Sequence, residues 1–347
     1  MSEEEVKEFP EQEQEQDLYE HYRFVVDPRQ GLLRIDKFLT SRMENTSRTR
    51  IQAAANAGNI LVNDAPVKPN YRVKPSDIIQ IVLPNPPREI ELIPQDIPID
   101  IVYEDDDVIV VNKKAGMVVH PAYGNYTGTL INALMFHFKD LPLFQSGDLR
   151  PGLVHRIDKN TSGLLVIAKN EYAMNRLARQ FYNRTTGRRY LALVWGTPEP
   201  EEGTVTGNVG RNIRDRKIMQ VFPDGSQGKH AVTHYTVIEK FSYVSLLECR
   251  LETGRTHQIR VHMSYIGHPL FNDGEYGGDR ILKGTTFSKY QQFVRNCFEI
   301  LPRQALHAKS LSFDHPVTGK RLSFDSELPD DMQQAIEKWR AYISGRE

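Results

Sequence analysis

The stretch Pro151-Gly152-Leu153-Val154-His155-Arg156-Ile157-Asp158-Lys159-Asn160-Thr161-Ser162-Gly163-Leu164-Leu165 passes from apolar to polar and back. The pattern predicts a strand running into a polar turn and a second strand, residues 163–168, leaving it. A turn of this kind holds its side chains at the rim of a sheet, within reach of solvent and ligand. Asp158 stands in it, with Arg156 two residues ahead. By spacing alone the aspartate reads equally as a turn residue bonding its own backbone.

Outward from this turn, residues 107–112 read as a buried strand. Asn170 is placed to cap a helix through Asn183, with Ala173, Leu177 and Phe181 on its inner face and Gly187 after its end. Residues 190–195 return as a strand. Residues 246–251 alternate Leu247, Cys249 and Leu251 inward, then turn at Thr253-Gly254 into a helix carrying Ile259, Met263 and Ile266 and closed by Gly267. Strands and helices in this order predict an α+β domain over residues 99–347. A proline-rich spacer, residues 85–98, precedes it, because proline lacks the N–H donor and has a fixed φ.

Residues 31–84 form a second unit. Ile35, Leu39 and Met43 recur at helical spacing, and Ser47 is a natural cap for a second helix with Ile51 and Ala55 on its stripe. Strands follow at residues 59–62 and 78–83, the first ending in an Asn63-Asp64 turn. Arg48 and Arg50 lie at the positive end of the second helix, an arrangement suited to a phosphate backbone.

The formal net charge of −1 over 347 residues conceals a segregated distribution. Residues 1–30 hold ten acids against three bases, residues 31–84 eight bases against four acids, and residues 148–230 fourteen bases against eight acids. Residues 1–20 carry too few apolar groups to offset ordering entropy and read as a disordered acidic arm. The clusters Arg184, Arg188, Arg189 and Arg211, Arg214, Arg216, Lys217 each read as a solvated face or, beside a cleft that accepts nucleic acid, as contacts to its backbone. Two cysteines, Cys249 and Cys297, without a short-spaced pair exclude a disulfide framework and a thiolate zinc cluster. His257 and His262 are five apart, about 140° on a helix, and cannot clamp a metal as an i, i+4 pair does. No signal-peptide core and no apolar run near the ~18 residues of a membrane span is present, so a cytoplasmic protein is expected.

The turn around Asp158 resembles the catalytic motif of the RluA-type pseudouridine synthases, His-Arg-Leu-Asp-x-x-Thr-Ser/Thr-Gly, with Ile157 in place of leucine. The resemblance extends to Arg188-Arg189-Tyr190-Leu191-Ala192-Leu193-Val194 and to Leu251-Glu252-Thr253-Gly254-Arg255-Thr256-His257-Gln258-Ile259-Arg260-Val261-His262. It continues at Gly267-His268-Pro269-Leu270 and Arg303-Gln304-Ala305-Leu306-His307-Ala308. Residues 31–84 resemble an S4 RNA-binding domain, and the S4 unit together with residues 120–125 is similar to the RluD branch, which modifies large-subunit ribosomal RNA. One departure is Lys114, where members have proline.

The resemblance implies a mixed, largely antiparallel sheet with flanking helices, preceded by a small α/β S4 domain. It implies isomerisation of uridine in ribosomal RNA, with Asp158 as the catalytic carboxylate and Arg260 as the cation that keeps it ionised against burial. Tyr190 matches the aromatic that stacks on the uracil and takes part in moving the C5 proton. Arg156 matches the side chain that fills the RNA stack when the uridine is flipped out. His155, Arg188, Arg189 and Arg255 complete the expected RNA contacts, although His155 reads equally as a structural histidine. No hydride, phosphate or acyl group leaves, so no cofactor or metal is expected. The expected partner is large-subunit ribosomal RNA, free or in an assembling particle, and the expected state is a monomer. Two rival readings remain: a non-catalytic RNA-binding factor on a dead synthase fold, and a hydrolase of small glycosides using Asp158 and His155. Tritium release from uracil-labelled RNA separates the first, and turnover of free nucleosides the second.

Overall fold

A computed structural model describes residues 19–43, 47–83, 92–121, 125–145, 150–212 and 218–345, which fall into two compact units, 19–83 and 92–345. The first 18 residues of the expected acidic arm, the start of the expected spacer at 84–91, and Arg214, Arg216 and Lys217 lie outside the described residues.

The first unit runs β1 (Tyr19–Val25), β2 (Leu33–Arg34), α1 (Ile35–Thr40), α2 (Arg48–Asn56), β3 (Ile60–Val62), β4 (Ala65–Pro66), β5 (Arg72–Val73) and β6 (Ile78–Leu83). Ser47 caps α2 by accepting the Arg50 N–H, as its position predicts. Asn63 and Asp64 both take positive φ, which suits the two-residue hairpin between β3 and β4. The sheet order is β1-β6-β3-β4, over a core of Ile35, Phe38, Leu39, Ile51, Ile60 and Ile79. The unit therefore includes Tyr19–Val25, ahead of residue 31. β1 is an edge strand with charged and exposed positions, and its pairing along β6 from Tyr19↔Leu83 to Val25↔Ile78 is invisible to local periodicity.

The second unit contains β7 (Ile101–Glu104), β8 (Val108–Lys113), α3 (Leu130–His137), α4 (Pro142–Gln145), β9 (Ser162–Ala168), α5 (Glu171–Tyr182), β10 (Gly187–Trp195), β11 (Glu202–Arg211), β12 (Met219–Phe222), β13 (Lys229–Lys240), β14 (Val244–Leu251), α6 (Gln258–Tyr265), α7 (Ser288–Ile300), β15 (Leu306–Asp314), β16 (Arg321–Asp325) and α8 (Asp330–Ser344). Its strands join in the order β12-β11-β13-β14-β10-β15-β9-β8-β7, with β16 on β15. Among the described residues every pair is antiparallel except β9–β15, where His307 and Ala308 meet Ser162 and Gly163 in parallel. The α+β class and the mixed, largely antiparallel sheet are as expected. The spacer is shorter than expected, because Leu92 packs on the core and the Gln95 N–H donates to the Asn132 carbonyl at 2.9 Å.

Alternation along β10 divides the core between two faces of the sheet. Tyr190, Ala192 and Val194 join Leu130, Ile131 and Leu134 of α3 and Ile259 and Met263 of α6. Leu191, Leu193 and Trp195 join Val294, Cys297, Ile336 and Trp339 of α7 and α8. Asn170 caps α5, whose Ala173 and Leu177 cover Leu164 and Val166 of β9. Gly187 opens β10 instead of closing α5. No helix among the described residues is long and apolar enough to cross a membrane.

Candidate active site

The expected strand before Asp158 is absent. Leu153 makes one isolated bridge to Ile167, and the chain then crosses in irregular form to Asp158 before entering β9. Neighbouring segments hold this irregular stretch. Buried Lys113 donates its three N–H bonds to the carbonyls of Lys114, Met117 and Lys159 at 2.8–3.0 Å. Arg303, held two-pronged by Asp331 at 2.7 and 2.9 Å, donates to the Asn160 carbonyl at 3.0 Å. His307 bonds the Ser162 hydroxyl at 2.9 Å. Gly163 has φ +115°, and a Cβ there would lie 2.3 Å from the Ala308 carbonyl oxygen. The glycine thus lets β9 and β15 approach and start the parallel pair that anchors the turn.

The Asp158 carboxylate turns away from its own backbone. Its Oδ2 accepts from Arg260 Nη1 at 3.4 Å, and its side chain is 19% exposed. Arg260, on α6, is 4% exposed and is gripped by Asp273, which accepts Nε at 2.7 Å and Nη2 at 2.8 Å. It also donates to Glu275 and lies over the Tyr276 ring at 4.9 Å. Asp273 therefore sets the orientation of the guanidinium, while the longer contact leaves Asp158 oxygen capacity for a ligand. Burial pushes the Asp158 pKa up, but the groups around it, His257 first and then Arg260 and Arg156, prevail and hold it below the ordinary carboxylate range. His257, at the start of α6, stands with Nε2 4.0 Å from Asp158 Oδ1 and Nδ1 2.9 Å from the Tyr276 hydroxyl. Burial depresses its own pKa, so at neutral pH it contributes a dipole and the arginines supply the charge.

Tyr190 comes from β10, opposite Cys249 of β14, and is 7% exposed. Its hydroxyl is raised in pKa, by burial first, with Arg188 lowering and Asp158 raising it. The phenol stays protonated at neutral pH. Asp158 thus has a fixed guanidinium at 3.4 Å and a neutral phenol within electrostatic reach.

The RNA pseudouridylate synthase model matches residues 107–265, and the S4 domain model matches residues 33–79. The chain is 50% identical over 314 residues to an uncharacterized RNA pseudouridine synthase of Chlorobaculum parvum, covering 90% of this chain and 95% of the relative. The chain belongs to the RNA pseudouridylate synthase family. It is 46% identical to the uncharacterized RNA pseudouridine synthase YlyB of Bacillus subtilis, over 88% of this chain and 94% of that one. It is 44% identical to ribosomal large subunit pseudouridine synthase D of Zymomonas mobilis, over 86% of this chain and 92% of the other. The protein is an RNA pseudouridine synthase with an S4 domain.

Within this synthase the other expected contacts divide. Arg156 is exposed and donates to His120 Nε2 at 3.5 Å, in the field of Asp158. Arg255 lies in the turn before α6 and donates Nε to the His230 carbonyl. Arg50 is exposed at the start of α2. Three of the expected residues have partners inside the protein. His155 accepts the Val166 N–H at Nε2 (3.0 Å) and stacks on Phe181 at 4.4 Å, and burial depresses its pKa to about 3. It pins the turn to β9 and α5 as a neutral structural ring. Arg189 points to the face opposite Tyr190, as adjacent strand residues must, and bonds Ser310 and Glu248. Arg48 donates Nε and Nη2 to buried Asp36, which also takes Arg34 and Gln52. Much of its hydrogen-bonding capacity is therefore intramolecular.

The sequence reading missed His257, Asp273, Glu275, Tyr276 and Lys113. His257 had a signal: it lies three residues before Arg260, one helical turn away on the same face. The acids and Tyr276 had none, since only the fold of the loop after α6 brings them back over that helix. His262 bonds Thr233 inside the protein and parts from His257, as their spacing requires. The cluster Asp105, Asp107 and His315 is satisfied internally: His315 Nδ1 accepts two backbone N–H groups, leaving Nε2 to donate to Asp105 at 2.9 Å.

Proposed function

We propose that this synthase converts uridines of large-subunit ribosomal RNA to pseudouridine with Asp158 as its catalytic carboxylate. The observation that carries the reading is the Asp158–Arg260 pair, in which Asp273 fixes the guanidinium and the carboxylate stays ionised and partly exposed. The large-subunit target is supported by the name of the Zymomonas relative and by the S4 unit, which offers Arg50 and part of Arg48 to a phosphate backbone.

The reaction breaks N1–C1′, turns the uracil, joins C5 to C1′, and moves the C5 proton away while N1 gains one. The sugar becomes electron-poor as N1 leaves. An ionised carboxylate facing C1′ stabilises or captures that charge, as glycosidase carboxylates do, and one facing C2′ removes its proton. Either route needs Asp158 deprotonated. Tyr190 lies against the same site with its phenol protonated, suited to stack on the base and to relay the C5 proton. Reaching the bond requires extruding the nucleotide, at a cost of a few kcal/mol, and Arg156 stands at the exposed rim to fill the gap.

Tritium release from in vitro transcribed large-subunit RNA labelled at uracil C5 tests the assignment. Asp158→Asn is expected to abolish release while RNA affinity stays within a few-fold. Release by the variant at the wild-type rate would remove Asp158 from the chemistry, and none from the wild type would remove the activity.

A further inference from the structure

Buried arginines in the catalytic unit follow one rule with one exception. Arg260 is met two-pronged by Asp273 and Arg303 by Asp331, as burial of a guanidinium demands. Arg188 of β10 is 8% exposed and has no carboxylate partner among the described residues. Its contacts are a long bond from Nη2 to the Glu252 carbonyl (3.5 Å) and the Phe181 ring at 5.5 Å, and its buried Nε has no partner. Two residues earlier, the buried Thr186 hydroxyl is also without a partner. Both side chains belong to residues lining one cavity of about 590 Å³.

We propose that Thr186 and Arg188 form an anion subsite that receives a backbone phosphate of the RNA substrate. The inference rests on the reading of the chain as acting on RNA, and Arg189, His234 and Arg250, which line the same cavity, add to its basic character. A guanidinium and a hydroxyl together match a phosphodiester, which offers several acceptor oxygens and the missing charge. Glu252, also on the cavity wall, does not fill the role. His234 holds its carboxylate at 2.8 Å and Arg184 lies 3.7 Å away, so only its carbonyl faces Arg188. Gly254 completes the arrangement, because a Cβ there would lie 2.8 Å from Arg188 Nη1. A bound phosphate supplies the negative charge and the acceptor that the buried Arg188 Nε lacks.

The test is affinity of the full-length protein for unmodified large-subunit RNA transcript as a function of KCl, with tritium release measured in the same samples. Arg188→Met is expected to raise Kd about tenfold and to make the log–log salt slope shallower by about one. Arg188→Lys is expected to keep the slope, and Thr186→Val to raise Kd a few-fold at unchanged slope. A folded Arg188→Met with wild-type Kd and slope overturns the proposal and leaves Arg188 a structural cation on Phe181. Loss in kcat alone, with the slope intact, overturns it in favour of an effect through Tyr190. Should Arg188→Met not fold, the other two variants decide: wild-type Kd for Thr186→Val together with a lost slope for Arg188→Lys refutes the subsite. Absence of tritium release by the wild type would sink the proposed function, while the salt slopes would still report on the subsite.

Discussion

Arg260 carries one positive charge among three carboxylates, Asp158, Asp273 and Glu275. Asp273 is 1% exposed and holds the guanidinium in two places, so its effect on Asp158 is to fix a cation rather than to compete for substrate. The depressed Asp158 pKa means that its ionised form adds stability in full above the unfolded carboxylate value of about 3.9. That stability is lost as pH falls through the lower folded value. The rate should therefore be independent of this ionisation from about pH 5 upward. Arg260→Met leaves burial unopposed by its nearest guanidinium. The acid limb of the kcat/KM profile should move up toward neutrality, with a loss on the order of 100-fold at pH 7. An unchanged acid limb in the variant would separate the two residues. Lys113 makes a second residue-scale case. Burial lowers its pKa toward about 7 and Asp158 raises it, while three carbonyl acceptors call for all three N–H donors of the ammonium. Lys113→Met orphans those carbonyls and should cost about 3 kcal/mol in urea unfolding.

At the scale of elements, the decisive contact is the short parallel pairing of β9 with β15. It places the Asp158 turn beside Arg303, Gln304 and His307, a segment nearly 150 residues away in the chain. Gly163 permits the approach, and a methyl group there meets the Ala308 carbonyl oxygen at 2.3 Å in a backbone conformation that L side chains rarely adopt. Gly163→Ala should cost more than about 3 kcal/mol and depress kcat with it, as read by thermal unfolding and tritium release. A variant of wild-type stability would mean that β9 and β15 separate at no cost. Helices α7 and α8 act differently. Asp331 of α8 grips Arg303 beneath the Asp158 turn, and the two helices cover the opposite face of the sheet with Trp339, 0% exposed, against Trp195, Phe271 and Phe293.

For the molecule as a whole, the proposed function assigns grip to the S4 unit and chemistry to the catalytic unit. Each has its own hydrophobic core. Deleting residues 1–84 should weaken binding to full-length RNA by at least tenfold, through lost phosphate contacts, and leave the single-turnover rate at saturating RNA within a few-fold. Equal affinity in the truncated enzyme would deprive the S4 unit of its role, and a lost chemical step would show that the units act together.

Read from residues alone, the helices capped by Ser47 and Asn170, the buried strands around Val166 and Leu193, and the helix of Ile259 and Met263 were legible. Each is written in a local period or a cap that the chain carries wherever it folds. The motif around Asp158 and the position of Tyr190 and Arg260 were legible through family likeness. What the sequence left open were the contacts made by return of distant chain: the Asp273 grip on Arg260, the Lys113 support beneath the turn, and strand β1 on the edge of the S4 sheet. It also left open the fate of His155, Arg189 and Arg48. Charge and spacing mark a side chain as able to bind RNA, but direction from the sheet and the nearest buried carboxylate or amide decide whether it is free to do so. Those are properties of packing, and only the tertiary structure supplies them.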